Sequence, residues 1–113
     1  MKTLQQLKPN FGPVYTAAVY PGLAAIAQRH GYALACHGSL ARDLDLIAVP
    51  WADTVSDHLE VIKDITANYA LWLIGHRQIK KHGRCSYTLS CGFGDCVIDL
   101  SFTPSHGAVK EEK

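Results

Sequence analysis

The chain has 113 residues, of which 48% are hydrophobic and 19% are charged. This length suits one domain over residues 1–113, and the apolar content excludes an intrinsically disordered chain. The formal net charge of +1 gives no global attraction to polyanions, so any contact with phosphate or nucleic acid must come from a local patch.

Targeting and membrane signals are not visible in the sequence. The stretch from Met1 to Pro9 has no apolar core of the kind found in secretory signal peptides. No apolar run approaches the roughly 20 residues that span a bilayer. We therefore expect a cytoplasmic protein with no membrane partner, and a polar, frayed tail from Ser105 to Lys113.

The cysteines form no Cys-x-x-Cys pair, which is a usual spacing in structural zinc sites. In a cytoplasmic chain this pattern favours reduced, partly buried thiols over metal ligands. The four residues are Cys36, Cys85, Cys91 and Cys96.

The first third of the chain predicts a helix followed by a strand. Small and aliphatic residues recur at helical spacing over residues 13–30. Pro21 interrupts this run, and it either kinks the helix or starts its second half as a first-turn residue. Gly31 is suited to cap the helix. The short apolar stretch over residues 32–36, bounded by Gly31 and Gly38, predicts a strand.

The middle of the chain predicts a second strand and a second helix. Residues 43–50 become apolar on both faces, as is typical of a central strand. Asp53 or Thr54 is a suitable N-cap for a helix that runs to about Tyr69. Residues 71–74 fit either an extension of this helix or a short strand, and the pattern does not decide between them.

The last third predicts a hairpin with strands over residues 84–90 and 96–103. The turn Gly92–Asp95 supplies residues that tolerate positive φ. The order helix, two strands, helix, two strands predicts an α+β (α/β) fold. We expect a mixed β-sheet of about four strands with two main helices packed on it.

Aspartates occupy notable positions on these predicted strands. Asp43 and Asp45 are two residues apart, so their side chains point to the same face. Asp99 lies in an apolar stretch, where a lone carboxylate is costly unless it is paired or metal-bound. A cation that prefers oxygen ligands, Mg²⁺ or Mn²⁺, would explain all three acids if the sheet brings them together. In the simpler alternative, Asp43 caps a turn and Asp45 pairs with Arg42 or another surface cation.

The turn before these acids fits a phosphate site. Gly38 allows a backbone to approach a ligand closely. Ser39 and the neighbouring N–H groups could hold a phosphate, and Arg42 could neutralise its charge. His37 either contacts a phosphate, carries a proton, or is bonded to backbone at the strand end.

Residues 37–46, HGSLARDLDL, resemble the Gly-Ser…Asp-x-Asp signature of the nucleotidyltransferase superfamily, the polymerase-beta-like group. By this resemblance, Gly38 and Ser39 correspond to the pair that holds the nucleoside triphosphate. Asp43 and Asp45 correspond to the paired acids, and Asp99 to a third acid; together these acids bind two metal ions in the family. The size is similar to that of the minimal nucleotidyltransferases, which include small antitoxin-type proteins. The sequence also resembles small phage and prophage proteins. A phage-encoded protein of this kind would be located in the cytoplasm of the host.

The resemblance implies Mg²⁺-dependent transfer of a nucleoside monophosphate from a nucleoside triphosphate to a protein or nucleic-acid acceptor, with Asp99 helping to activate the attacking hydroxyl. However, only residues 40–42 separate Ser39 from Asp43, where family members usually carry a longer helical segment. This short connection supports an alternative, a catalytically inactive binding module that acts as a phage-type regulator or inhibitor through nucleotide or protein binding. A homodimer whose sheet merely carries surface acids is a third interpretation, because a chain this short buries a modest share of its surface.

One basic cluster stands out, over residues 76–84 (HRQIKKHGR). It could bind a triphosphate or a nucleic-acid backbone, or it could form a solvated loop. Trp51 and Trp72 either stack on a base or pack in the core or at a sheet edge.

Overall fold

The computed structural model describes residues 18–38, 43–90 and 97–104. Within these ranges the chain forms five strands, two α-helices and one 3₁₀ turn. In chain order they are α1 (Tyr20–Arg29), β1 (Tyr32–His37), β2 (Leu44–Pro50), α2 (His58–Asn68), β3 (Trp72–Ile79), the 3₁₀ turn (Lys81–Gly83), β4 (Cys85–Ser90) and β5 (Val97–Phe102).

The strands form one mixed sheet in the order β1-β2-β5-β4-β3. Strands β2 and β5 are parallel, and all other neighbouring pairs are antiparallel. The predicted α+β class with a mixed sheet and two helices is confirmed, but the sheet has five strands where about four were expected. Because β2 and β5 are parallel, the chain between them must cross from one end of the sheet to the other, which it does through α2.

The two faces of the sheet differ in chemistry. Alternate strand residues join the inner sides of both helices in a core made of Leu23, Ile26, Ala27, Tyr32, Leu34, Leu44, Leu46, Ala48, Val61, Ile62, Ile65, Leu71, Tyr87, Leu89, Ile98, Leu100 and Phe102. The residues between them point to the other side. We call this side the polar face; it carries Asp45, Ser86, Thr88, Asp99 and Ser101.

A proline lies at the start of α1 and a glycine follows its end. Pro21 lies in the first turn, where its missing N–H would have no partner in any case. Gly31 follows the helix with φ +93°, and its N–H donates to the Gln28 carbonyl oxygen. Of the helix predicted over residues 13–30, residues 13–17 lie outside the described residues.

Helix α2 begins at His58, so the prediction of a start at Asp53 or Thr54 was wrong. The backbone before it is bonded elsewhere: the N–H groups of Trp51 and Ala52 donate to the Gly31 carbonyl oxygen, and that of Ser56 donates to the His30 carbonyl oxygen. These bonds hold the segment against the corner between α1 and β1. In the described residues, neither helix is long and apolar enough to cross a bilayer.

His30 joins three parts of the fold at this corner. Its Nε2 lies 2.9 Å from Asp64 Oδ2, and its Nδ1 lies 2.7 Å from Ser56 Oγ. Because a carboxylate only accepts, Nε2 is the donor in the contact with Asp64. The hydrogen bond from His30 holds the pKa of the Asp64 carboxyl below its ordinary value.

The undecided segment after α2 is a strand, β3, and it continues through half of the basic cluster. All eight residues of β3 are exposed, so burial does not stabilise it. Pairing with β4 does, with a register shift between Ile74 and Gln78. Residues 76–84 therefore do not form a solvated loop: they comprise the end of β3 and the 3₁₀ turn. The tail from Ser105 lies outside the described residues.

An aromatic cluster packs between α2 and the sheet. The imidazole of His58 stacks on Phe102 with ring centroids 4.1 Å apart and planes 12° from parallel. Its Nδ1 shares a 3.1 Å hydrogen bond with the Tyr87 hydroxyl. Burial lowers the pKa of His58, and the positive charge of Arg77 lowers it further, against the opposing effect of Asp57.

We predict that His58 makes the folded state more stable at neutral than at mildly acidic pH. Its pKa is lower in the folded than in the unfolded chain, so the unfolded chain takes up this proton first. Stability is full above the ordinary histidine value of about 6.5 and declines as the pH falls below it. Urea denaturation from pH 5 to 7.5 measures this. The slope of unfolding free energy against pH should be smaller in His58→Gln than in the native chain, and equal slopes would contradict the assignment.

Candidate functional site

The parallel pairing of β2 with β5 creates the site. Its register sets Asp45 directly beside Asp99 on neighbouring strands, which lie about 4.8 Å apart in sheets. Both side chains therefore project from the polar face at the same level. Asp43 precedes the first residue of β2 by one position, so it lies just outside the strand where it was expected.

Electrostatics at this pair follow from burial and like charge. Burial raises the pKa of the Asp45 carboxyl, and the negative charges of Asp99 and, more weakly, Asp43 raise it further. His37, the register partner of Asp45 on β1, acts in the opposite direction. The ionised state of Asp45 is thus costly, which is the situation that a bound cation relieves.

Ser86 fixes the second carboxylate. Its hydroxyl donates a 2.7 Å hydrogen bond to Asp99 Oδ1 from the neighbouring strand β4. Farther along the same face, Arg84 Nη1 donates to Ser101 Oγ at 3.1 Å. Ser86 and Ser101 are 5% and 1% exposed. These buried hydroxyls hold neighbouring side chains in place on this face. Sequence reasoning missed Ser86; the available signal was a hydroxyl residue in a strand of core residues.

Gly38 closes the site on the side of β1. Its φ is +79°, and a Cβ at this position would overlap Oδ2 of Asp45. The sequence predicted that Gly38 allows a close backbone approach to a ligand; the close approach in the structure is to the Asp45 carboxyl. Ser39 and Arg42, predicted to hold phosphate, lie outside the described residues.

The carboxylates of Asp45 and Asp99 suit a hard cation that takes its other ligands from water or substrate. Within residues 18–38, 43–90 and 97–104, no group of three His, Cys, Asp or Glu side chains could hold a metal ion. Magnesium, however, is commonly held by one or two carboxylates, with waters and substrate phosphates filling the other positions. Asp45 and Asp99 meet that requirement as a pair. Metal binding by Asp43, Asp45 and Asp99 stays a prediction.

The cysteines and tryptophans of the described residues differ in exposure. Cys36 and Cys85 are free, partly buried thiols, as predicted, and Cys91 and Cys96 lie outside the described residues. Trp51 and Trp72 are both exposed, so neither is a core residue.

We predict that Gly38→Ala disturbs Asp45 as well as the backbone. Gly75 is the matched control, because it has a similar φ of +71° but no atom within 4 Å of an added Cβ. Gly75→Ala should destabilise the chain by about 1 kcal/mol through backbone strain alone. Gly38→Ala should cost more and shift the carboxyl ¹³C resonance of Asp45, whereas Gly75→Ala should leave that resonance in place. Denaturant unfolding and NMR measure the two effects.

We also predict that the charge of Asp99 raises the pKa of Asp45 more than the charge of Asp43 does. Asp99→Asn removes the larger of the two acidic influences, so the pKa of Asp45 should fall. Asp43→Asn should lower it less. Carboxyl ¹³C titration of Asp45 in the three proteins measures this, and an equal or greater effect of Asp43→Asn would show that the register pair does not dominate the site.

Comparison of this chain with protein-family models, with curated proteins and with solved structures found no match to any of them.

Proposed function

We propose that the chain is a nucleotidyltransferase-like enzyme that uses Mg²⁺ or Mn²⁺ and transfers a nucleoside monophosphate from a nucleoside triphosphate to a protein or nucleic-acid acceptor. The observation that carries this proposal is the juxtaposition of Asp45 and Asp99 on parallel strands, with Gly38 against the Asp45 carboxyl. The HGSLARDLDL stretch supplies Gly38 and Asp45, and Asp99 follows on a later strand, in the order that the resemblance implies.

The carboxylates have distinct parts in this proposal. Asp45 and Asp99 would hold the cation, with Asp43 positioned to contribute from just before β2. A divalent cation bound there would polarise the α-phosphate and offset the charge of the departing pyrophosphate. Because Ser86 occupies Oδ1 of Asp99, we assign Oδ2 to the cation or to the proton of the attacking hydroxyl.

The transfer balances without any further reactant. The acceptor hydroxyl oxygen bonds to the α-phosphorus, the bond from that phosphorus to the bridging oxygen breaks, and pyrophosphate leaves. The hydroxyl proton passes to Asp99 or to water. By the resemblance, Gly38, Ser39 and Arg42 would contact the triphosphate. Of these, the structure describes Gly38, which follows β1 and lies against the Asp45 carboxyl.

A second candidate is the binding module without turnover. The connection of only three residues between Ser39 and Asp43 favours it, because a short loop offers fewer N–H groups to a triphosphate. In this case the same pair of carboxylates would bind a nucleotide through a cation, or a protein partner, and no transfer would follow.

We predict cation-dependent binding of a nucleoside triphosphate that depends on the register pair. Isothermal titration with Mg²⁺ and each common ribonucleoside triphosphate should give binding to the native chain. The affinity should fall about tenfold or more in Asp45→Asn and in Asp99→Asn, since each removes one charged oxygen ligand. Asp53→Asn, an exposed acid in the loop before α2, is the matched control and should bind as the native chain does.

The outcomes separate the two candidates. Release of pyrophosphate in the presence of a suitable acceptor would support the enzyme. Binding with no turnover would support the module. Binding that survives both substitutions would overturn the assignment of this site, and no binding by the native chain would overturn the nucleotide site altogether.

A further inference from the structure

A run of positive charge lies at the end of β3 and in the connection to β4, within a longer stretch without acids. No Asp or Glu occurs between Asp64 and Asp95, while Arg77, Lys80, Lys81 and Arg84 fall within this stretch. We call residues 72–90 the basic hairpin; it comprises β3, the 3₁₀ turn and β4. The net charge of the whole chain is +1, so the charge is concentrated in this element.

Exposure makes these charges available. Every residue from Trp72 to Gly83 is exposed, including Lys80 and Lys81. Arg77 is exposed as well, but its charge acts on Tyr87 and His58 on the helix side of the sheet. Strand β3 is the last strand in the order of the described sheet, so one of its edges faces outward. Trp72 and Ile79, at its two ends, are 56% and 62% exposed. A long exposed edge strand with large apolar side chains is typical of a binding surface.

The charge distribution favours a polyanion over a second copy of the chain. Pairing two β3 strands edge to edge would bring two basic hairpins together with no acid on either to compensate. Like charges opposed across strands are destabilising. A phosphate backbone supplies the complementary charge to the basic residues between 77 and 84.

The placement of apolar side chains favours nucleic acid over an anionic membrane. Ile74 is the register partner of Thr88 and lies on the polar face, whereas Leu73 and Ile79 pair with Leu89 and Cys85 on the opposite face. A membrane-surface element gathers its apolar residues on one face. Here they are divided between two faces.

Trp72 adds an interaction of a different kind. Its register partner is Ser90. Ser90 lies two residues after Thr88, which pairs with Asp99, so both are on the polar face. Trp72 therefore lies on the same face as Asp99. Exposed aromatic rings on a sheet face are suited to stack on unpaired bases. Gln78 pairs with Ser86, whose hydroxyl bonds Asp99. The basic hairpin therefore reaches the side of the candidate site.

We propose that the basic hairpin binds single-stranded nucleic acid, with phosphates at Lys80 and Lys81 and a base on Trp72. This binding does not rest on the proposed function. Where that function also holds, the bound strand is its acceptor, because it lies on the face that carries Asp99.

Fluorescence anisotropy with a labelled single-stranded RNA of about 16 nucleotides tests the proposal over a series of salt concentrations. The affinity should fall about tenfold or more in the double variant Lys80→Gln/Lys81→Gln. The slope of log K against log salt should decrease by about 0.7 for each phosphate that the variant no longer neutralises. Trp72→Leu should weaken binding about tenfold without changing the slope. Lys63→Gln, an exposed lysine on α2, should bind as the native chain does.

Several results would overturn the proposal: no salt-dependent binding by the native chain, equal binding by the double variant, or stronger binding to vesicles that contain phosphatidylserine. A concentration-dependent dimer that Lys80→Gln/Lys81→Gln strengthens would assign the edge to a second copy instead. Asp45→Asn should retain RNA binding, so that loss of the nucleotide site and loss of this surface are measured separately.

Discussion

The feature on which the rest of the site depends is the repulsion between two carboxylates held side by side in the sheet. Asp45 and Asp99 are register partners on parallel strands, and the raised pKa of Asp45 reflects its burial and this neighbour. Such a pair is unfavourable unless other groups compensate. Ser86 compensates part of it by donating to Asp99, and a divalent cation would compensate the rest.

The division between the two faces of the sheet keeps this unfavourable chemistry apart from the core. Leu44, Leu46 and Ala48 alternate with Asp45 along β2, and all three are buried against the helices. Burying one large aliphatic side chain contributes about 1.5–3 kcal/mol. The apolar face thus stabilises the fold, and the carboxylates lie on the opposite face, outside the core.

Local signals accounted for most of the elements. Alternating and apolar stretches predicted β1, β2, β4 and β5, and Gly31 was correctly expected to cap α1, because each effect acts within a few residues. For Pro21 the sequence left a kink and a first-turn position open, and the structure places it in the first turn. Strand β3 was not resolved from the sequence. Its residues show no buried alternation, and pairing with β4 decides its conformation.

The start of α2 and the pairing of residues in the site could not be predicted from short stretches of sequence, because both depend on contacts with distant parts of the chain. Asp53 and Thr54 are good caps by residue type, but the backbone around them bonds to Gly31 and His30 instead. The aspartates were identified from the sequence as the notable acids. That Asp45 faces Asp99, and that Ser86 holds the latter, depends on strand order and register, which no short stretch encodes.

The parallel pairing of β2 with β5 also has a consequence for how the chain folds. Nearly half of the sequence separates Asp45 from Asp99, whereas β1 with β2 and β3 with β4 are joined by short connections. Closing a long loop has a larger entropic cost, and contacts between distant parts of a chain form more slowly. The antiparallel pair of β4 and β5 also has a short connection. We therefore expect the β1–β2 pair and the β3–β4–β5 meander to form first, and β5 to pair with β2 afterwards. Before that last step the chain would have its strands but no site.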